Sequence, residues 1–123
     1  MYFIIYLNYN NIVNYLIILS GFSFILYGLT ILSTDHMKLE FERYQLSQFR
    51  VLTGLLELLG GIGCLIGFLY PSILFLASGG LSLLMFLGLF VRLKVGDPFY
   101  QTIPAFILML INLKISYSSY FDI

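Results

Sequence analysis

Residues 51–91 read VLTGLLELLGGIGCLIGFLYPSILFLASGGLSLLMFLGLFV and contain one charged side chain, Glu57, and one proline, Pro71. A helix that crosses the hydrocarbon core of a bilayer needs ~20 consecutive apolar residues, and this run holds two such lengths end to end. Proline lacks the amide hydrogen that a helix interior uses, and it drives the residue before it toward extended backbone. No helix therefore runs through Tyr70-Pro71-Ser72. The stretch predicts two adjacent antiparallel helices, over 48–70 and 72–92, joined by a tight reversal.

The same reasoning extends to both sides. Met1 to Thr34 carries no charged side chain, which predicts a helix over 12–33 that stops at Ser33, Thr34 and Asp35. The Asn- and Tyr-rich lead, Tyr2 to Asn11, either lies at the interface or lengthens that helix. Beyond Arg92, Gly96-Asp97-Pro98 supplies a break, an N-cap and a proline at the first helical position. These open a fourth helix over 98–117, in which Pro104 is a candidate kink. The expectation is one all-α membrane domain over 1–123, a transmembrane four-helix bundle. In the loop 34–47, Met37, Phe41 and Tyr44 recur at helical spacing and Lys38 and Glu42 stand at i,i+4. This segment reads either as a short interfacial helix between helices 1 and 2 or as irregular loop.

Composition points the same way, with 60% hydrophobic and 10% charged residues against about 25% charged in a soluble domain. The formal net charge is zero and there is no basic run, which argues against nucleic acid and against electrostatic docking on anionic lipid. Cys64 is the only cysteine, so an internal disulfide or a Cys-x-x-Cys redox pair is excluded. The amino-terminal segment has neither a positive n-region nor a small-x-small cleavage pattern, so it is expected to be retained. Trp is absent, leaving the interfacial aromatic belt to Phe and Tyr, as at Tyr6, Tyr9, Tyr70, Tyr100, Tyr117 and Tyr120.

Four spans place both termini and the Tyr70–Ser72 turn on one side, and the loops 34–49 and 93–97 on the other. Lys38, Arg43, Arg50, Arg92 and Lys94 fall on the loop side against Lys114 on the other. The positive-inside rule then makes the loops cytoplasmic and the termini external. The abundance of Ile, Asn and Tyr suggests an AT-rich bacterial genome, hence the bacterial cytoplasmic (inner) membrane.

Glu57 is the first residue to weigh for chemistry. Seven residues beyond Arg50 it lies ~10 Å along the helix, inside hydrocarbon, where an unpaired charge costs about 2.5–3.5 kcal/mol on insertion scales. Arg50, Thr53, Gly54, Glu57 and Gly61 share one helical face. Because the second and third helices are antiparallel, Arg92 and Lys94 return to the membrane side of Arg50. Arg50 or Arg92 is thus the natural partner of Glu57, and with Asp97 they form a candidate intramembrane polar cluster. One reading is a structural ion pair that fixes helix register. The other is a proton-relay carboxylate or a group that holds the headgroup of a ligand such as a quinone.

Gly54, Gly60, Gly61, Gly63 and Gly67, with Gly80 among Ala77, Ser78, Gly79 and Ser82 on the third helix, are candidate packing residues. Such small-residue spacings serve internal contacts or a partner's helix. His36 has no second histidine with which to share a metal and reads as a solvated residue, while Asn112, with Gln101 and Thr102, reads as an interhelical hydrogen-bonding group. The chain has no Gly-x-Ser-x-Gly elbow, no His-Glu-x-x-His and no phosphate loop. No catalytic residue and no metal ligand are expected, and no cofactor other than a quinone. An enzyme is not the favoured reading.

Two elements carry a family resemblance: Arg50-x-x-x-Gly54-x-x-Glu57-x-x-Gly60, and Arg92-x-x-x-Gly96-Asp97-Pro98 followed by Ile103-Pro104-Ala105 and an apolar run to Asn112. In these the chain, over about residues 12–116, resembles the DoxX-like family of small four-helix membrane proteins. The resemblance implies the same fold. For activity it implies less, because namesake relatives look like a membrane subunit of an archaeal thiosulfate:quinone oxidoreductase, and distant eukaryotic relatives act as chaperones of membrane receptors. Relatives that handle disulfides use cysteine pairs, from which the lone Cys64 departs. Three functions follow as expectations. The first is a non-catalytic subunit or assembly and stability factor of a larger complex, with the lipid bilayer and other membrane proteins as partners. The second is a subunit of a quinone-linked oxidoreductase with a headgroup site near Glu57. The third is small-solute or proton transport.

Overall fold

A computed structural model describes residues 2–121, with side chains from residue 11 onward. The chain runs through five α-helices: α1 (Tyr2–Ser33), α2 (Asp35–Arg43), α3 (Arg50–Ile66), α4 (Pro71–Lys94) and α5 (Phe99–Tyr120), with a 3₁₀ turn at Ser47–Phe49 before α3. Four segments are long and apolar enough to cross a membrane: Asn11–Ser33, Ser47–Ile66, Pro71–Lys94 and Phe99–Tyr120. The all-α four-span bundle expected from the sequence is the fold found, and the lead before residue 12 continues α1. Tyr70, Tyr100, Tyr117 and Tyr120 are exposed near span ends, whereas the side chains of Tyr6 and Tyr9 lie outside the described residues.

The loop 34–47 resolves in favour of a helix. Thr34 caps α2, its Oγ1 accepting from the Met37 amide at 3.3 Å, while Asp35 and Arg43 sit at the ends where the helix dipole favours their charges. Phe41 is the side chain that α2 buries. The helix then stops in a Schellman motif, in which the Leu46 amide donates to the Phe41 carbonyl and the Gln45 amide to that of Glu42. Gln45 takes the left-handed backbone conformation that this requires, at φ 61°.

Helix ends elsewhere depart from expectation. α3 stops at Ile66, not Tyr70, because Gly67 meets the start of α4: a Cβ there would stand 2.6 Å from the Leu74 Cα. α4 begins on Pro71, with Tyr70 held extended ahead of it. Asp97 is not the N-cap of the last helix. It closes α4 in a second Schellman motif, its amide donating to the Arg92 carbonyl and that of Gly96 (φ 87°) to Leu93. Pro98 takes the N-cap position of α5, and Pro104 is accommodated inside that helix.

α1 packs mainly on α3 and α4 mainly on α5, while α3–α4 and α1–α5 contacts close the bundle. The α3–α4 contact sets Gly60 against Leu81, Gly63 against Ala77 and Gly67 against Leu74. The core is built from Val13, Ile17 and Phe24 of α1, Cys64 of α3, Leu74 and Leu81 of α4, and Ile115 of α5. The outer faces of all four spans carry exposed Leu, Ile and Phe, as a surface solvated by lipid requires.

Candidate functional site

Each face of α3 has its own neighbour, and this decides where Glu57 points. The buried face is Gly54, Glu57, Gly61 and Cys64. A Cβ on Gly61 would stand 2.7 Å from the Gly21 carbonyl oxygen, and one on Gly28 would stand 2.9 Å from that of Gly54. The pairs 21 with 61 and 28 with 54 define an antiparallel register in which the two backbones touch wherever glycines face each other. Glu57 lies between these two contacts, opposite the Phe24–Ile25 level of α1. It is 4% exposed, and its Oε2 atom is buried with no hydrogen-bond partner.

The ion pair expected between Glu57 and Arg50 or Arg92 is not formed. Arg50 points the other way, donating from one guanidinium nitrogen to the Ile31 carbonyl at 2.9 Å and the Leu32 carbonyl at 3.3 Å. These are among the last carbonyls of α1, which have no partner within their own helix. A cation at a helix C-terminus also meets the negative end of the dipole. Arg92 stands level with the start of α3 in the Gly60–Leu81 register, so it too is turns away from Glu57.

Asp97 belongs to a separate network at the loop end. Its carboxylate accepts from Arg43 through both oxygens, at 2.7 and 3.1 Å, and its side chain is 7% exposed. Arg43 also donates to Glu40 at 2.8 Å, and the Tyr44 hydroxyl donates to the same Glu40 oxygen at 3.2 Å. The Arg43 guanidinium lies 4.9 Å above the Tyr44 ring centre. The hydrogen bond from Arg43 is the main cause that holds the Asp97 carboxyl below the usual carboxylate range, with the Arg92 charge adding to it. Arg43 does the same for Glu40, its own guanidinium is raised by both carboxylates, and burial raises the Tyr44 hydroxyl. The four residues expected as one cluster therefore divide: Glu57 in the α1–α3 seam, Arg50 on the end of α1, and Asp97, with Arg92 nearby, in a clasp tying α2 to the α4–α5 loop.

A third polar group lies in the bundle centre. Ser20 of α1 donates to the Asn112 side-chain oxygen of α5 at 2.9 Å, and the Asn112 amide donates to the Leu108 carbonyl. Asn112 is thus the interhelical group its sequence position suggests. Of the expected packing glycines, Gly54, Gly60, Gly61, Gly63 and Gly67 all lie against another helix. Gly80 does not: nothing stands within 4 Å of its Cβ position. It lines an apolar groove of about 440 Å³ between α3 and α4 instead. His36 is exposed, and no group of three or more His, Cys, Asp or Glu gathers as a metal site among the described residues.

A family model described as the DoxX-like family matches residues 16–113. The chain belongs to the DoxX-like family. No curated protein and no solved structure matches it. In this DoxX-like chain the matched region holds both glycine contacts, Glu57, Arg50, the Arg43–Asp97 clasp and the Ser20–Asn112 bond. Two features of this DoxX-like bundle escape a residue-by-residue reading. Gly21 and Gly28 are seven apart, as are Gly54 and Gly61; the matched spacing in consecutive spans is the signal that marks the seam. The Arg43–Asp97 clasp joins residues 54 positions apart and leaves no local signature.

Proposed function

We propose that this protein is a non-catalytic subunit or assembly factor of a larger membrane complex, seated in a bacterial cytoplasmic membrane with its α1–α3 and α4–α5 connections facing the cytoplasm. The observation that supports this most directly is how the polar side chains are used. Arg50 ties the end of α1 to the start of α3, Arg43 ties α2 to Asp97, and Ser20 ties α1 to Asn112. Chemistry that a catalytic pocket would aim at a substrate is directed here at holding one helix to another, beneath an outer surface that is apolar on every span. Such a unit serves by packing. Extraction in mild detergent followed by native gels is expected to place it with larger membrane proteins, and deletion is expected to lower their abundance. Migration as a lone species, with every co-resident membrane complex unchanged on deletion, would contradict the proposal.

One observation favours a second reading, a quinone-linked oxidoreductase subunit: the unpartnered Oε2 of Glu57 can accept a hydrogen bond from a hydroxyl headgroup. It ranks second because Glu57 lines neither the α3–α4 groove nor the loop-side cleft. A headgroup would reach it only after α1 and α3 part at their glycine contacts. Loss of electron transfer in Glu57→Gln, with the complex still assembled, would promote this reading. Proton transport would rest on the same carboxyl, and proteoliposome flux indifferent to Glu57→Gln would remove it.

A further inference from the structure

Two concave surfaces among the described residues follow one another along a single face of α4. The apolar groove is lined on α4 by Leu76, Gly80, Leu83 and Leu87, among others, against Leu56, Leu59 and Gly60 of α3. The second cavity, of about 290 Å³, continues from Phe90 and Val91 to Lys94 and is walled by Arg43, Gln45 and Leu46. Positions 76, 80, 83, 87, 90 and 94 recur at helical spacing, so floor and mouth form one stripe. The stripe is apolar throughout its length and cationic only where α4 leaves the span at Lys94.

From this we infer that the stripe binds an anionic phospholipid of the loop-side leaflet, its phosphate at Lys94 and Arg43 and one acyl chain in the groove. Three features define that occupant. From Leu84 to Lys94 the helix rises ~15 Å, the hydrocarbon depth of one leaflet in a ~30 Å core. Open space at Gly80 and a wall of leucines suit a chain of methylenes, while basic pockets beside membrane helices suit phosphate headgroups. The charges around the mouth also sum in favour of an anion. Arg43 is already shared with Glu40 and Asp97, but Lys94 is in no ion pair among the described residues, and Arg92 adds a third cation. Of the carbonyls at the end of α4, which would repel a phosphate, those of Val91, Arg92 and Leu93 are occupied by the amides of Val95, Asp97 and Gly96. The zero net charge, which argues against docking on anionic lipid as a whole, is thus compatible with one lipid held locally.

The test is lipid retention by the purified full chain. Protein in detergent is incubated with equal amounts of dioleoylphosphatidylglycerol and dioleoylphosphatidylcholine, and bound lipid is counted by native mass spectrometry. The wild type is expected to prefer phosphatidylglycerol by about fivefold, the effect of one basic residue beside an anionic headgroup. Lys94→Gln is expected to bring the ratio near one, and Gly80→Leu to reduce retention of both lipids while keeping their ratio. Both changes fall on the surface, and Lys94→Met provides a second variant without the cation. Equal retention by the wild type, or a preference unchanged by removing Lys94, would overturn the inference. So would a preference abolished by millimolar inorganic phosphate with no effect of Gly80→Leu, which would assign the mouth to a small free anion.

Discussion

The α1–α3 and α4–α5 pairs are both antiparallel, yet they are joined by different means. Between α1 and α3 the contacts form where side chains are missing, with glycine backbones set against glycine carbonyls at two levels. Between α4 and α5 they form where side chains reach across. Ser82 donates to the Met109 carbonyl at 3.4 Å, Ser116 donates to that of Phe75 at 3.5 Å, and the Phe75 and Tyr120 rings lie 5.8 Å apart. The first seam cannot accept an added atom, whereas the second can lose one. A carboxylate placed in the first seam is held without room for a counter-ion, which is where Glu57 stands.

That contrast breaks most visibly at Gly61. Valine there would press its Cβ on the Gly21 carbonyl at 2.7 Å and on the Ile25 amide nitrogen at 3.0 Å, both backbone atoms that cannot turn aside. Gly61→Val is expected to lower stability by about 3 kcal/mol in denaturant titrations of the detergent-solubilised protein. Arg50→Met comes next, since it strips the Ile31 and Leu32 carbonyls of their donor, and about 2 kcal/mol of loss is expected in the same titration. Glu57→Met should move the other way. Replacing a buried oxygen that has no partner by a thioether of similar shape is expected to raise stability by about 1 kcal/mol. On the opposite pair, Ser82→Ala and Ser116→Ala should cost about 0.6 kcal/mol each, and a loss as large as that of Gly61→Val would erase the contrast.

The smallest effect is confined to the loop end. Asp97 and Glu40 are held below the usual carboxyl range by Arg43. Their contribution to stability is therefore present above their ordinary values and is lost as pH falls below about 4. The protection factors of the α2 amides, which correct for the intrinsic slowing of hydrogen exchange in acid, should fall on acidification in that window while the spans stay protected, and Asp97→Asn should lower them already at neutral pH.

Much of this was legible in the chain. Hydropathy and Pro71 are enough for four spans and the tight turn, because both act locally, and the carboxylate in hydrocarbon is conspicuous at Glu57. Caps were less legible. Asp97 has the residue type of an N-cap, but its place is settled by the closing turn of α4 and by Arg43, which comes from a distant loop. Arg50 shares a helical face with Glu57 and carries the opposite charge, yet bare carbonyls at the end of α1 lie closer to its guanidinium. Residue spacing reports which face a side chain leaves from, and neighbouring elements determine what it reaches.

The separation of Glu57 from the arginines is tested most directly by a double-mutant cycle on stability, using Arg50→Met, Glu57→Met and the double variant. Without an ion pair the two changes act independently, with opposite signs and a coupling within about 0.5 kcal/mol of zero. A coupling of several kcal/mol, with each single change strongly destabilising as for a broken buried salt bridge, would contradict it.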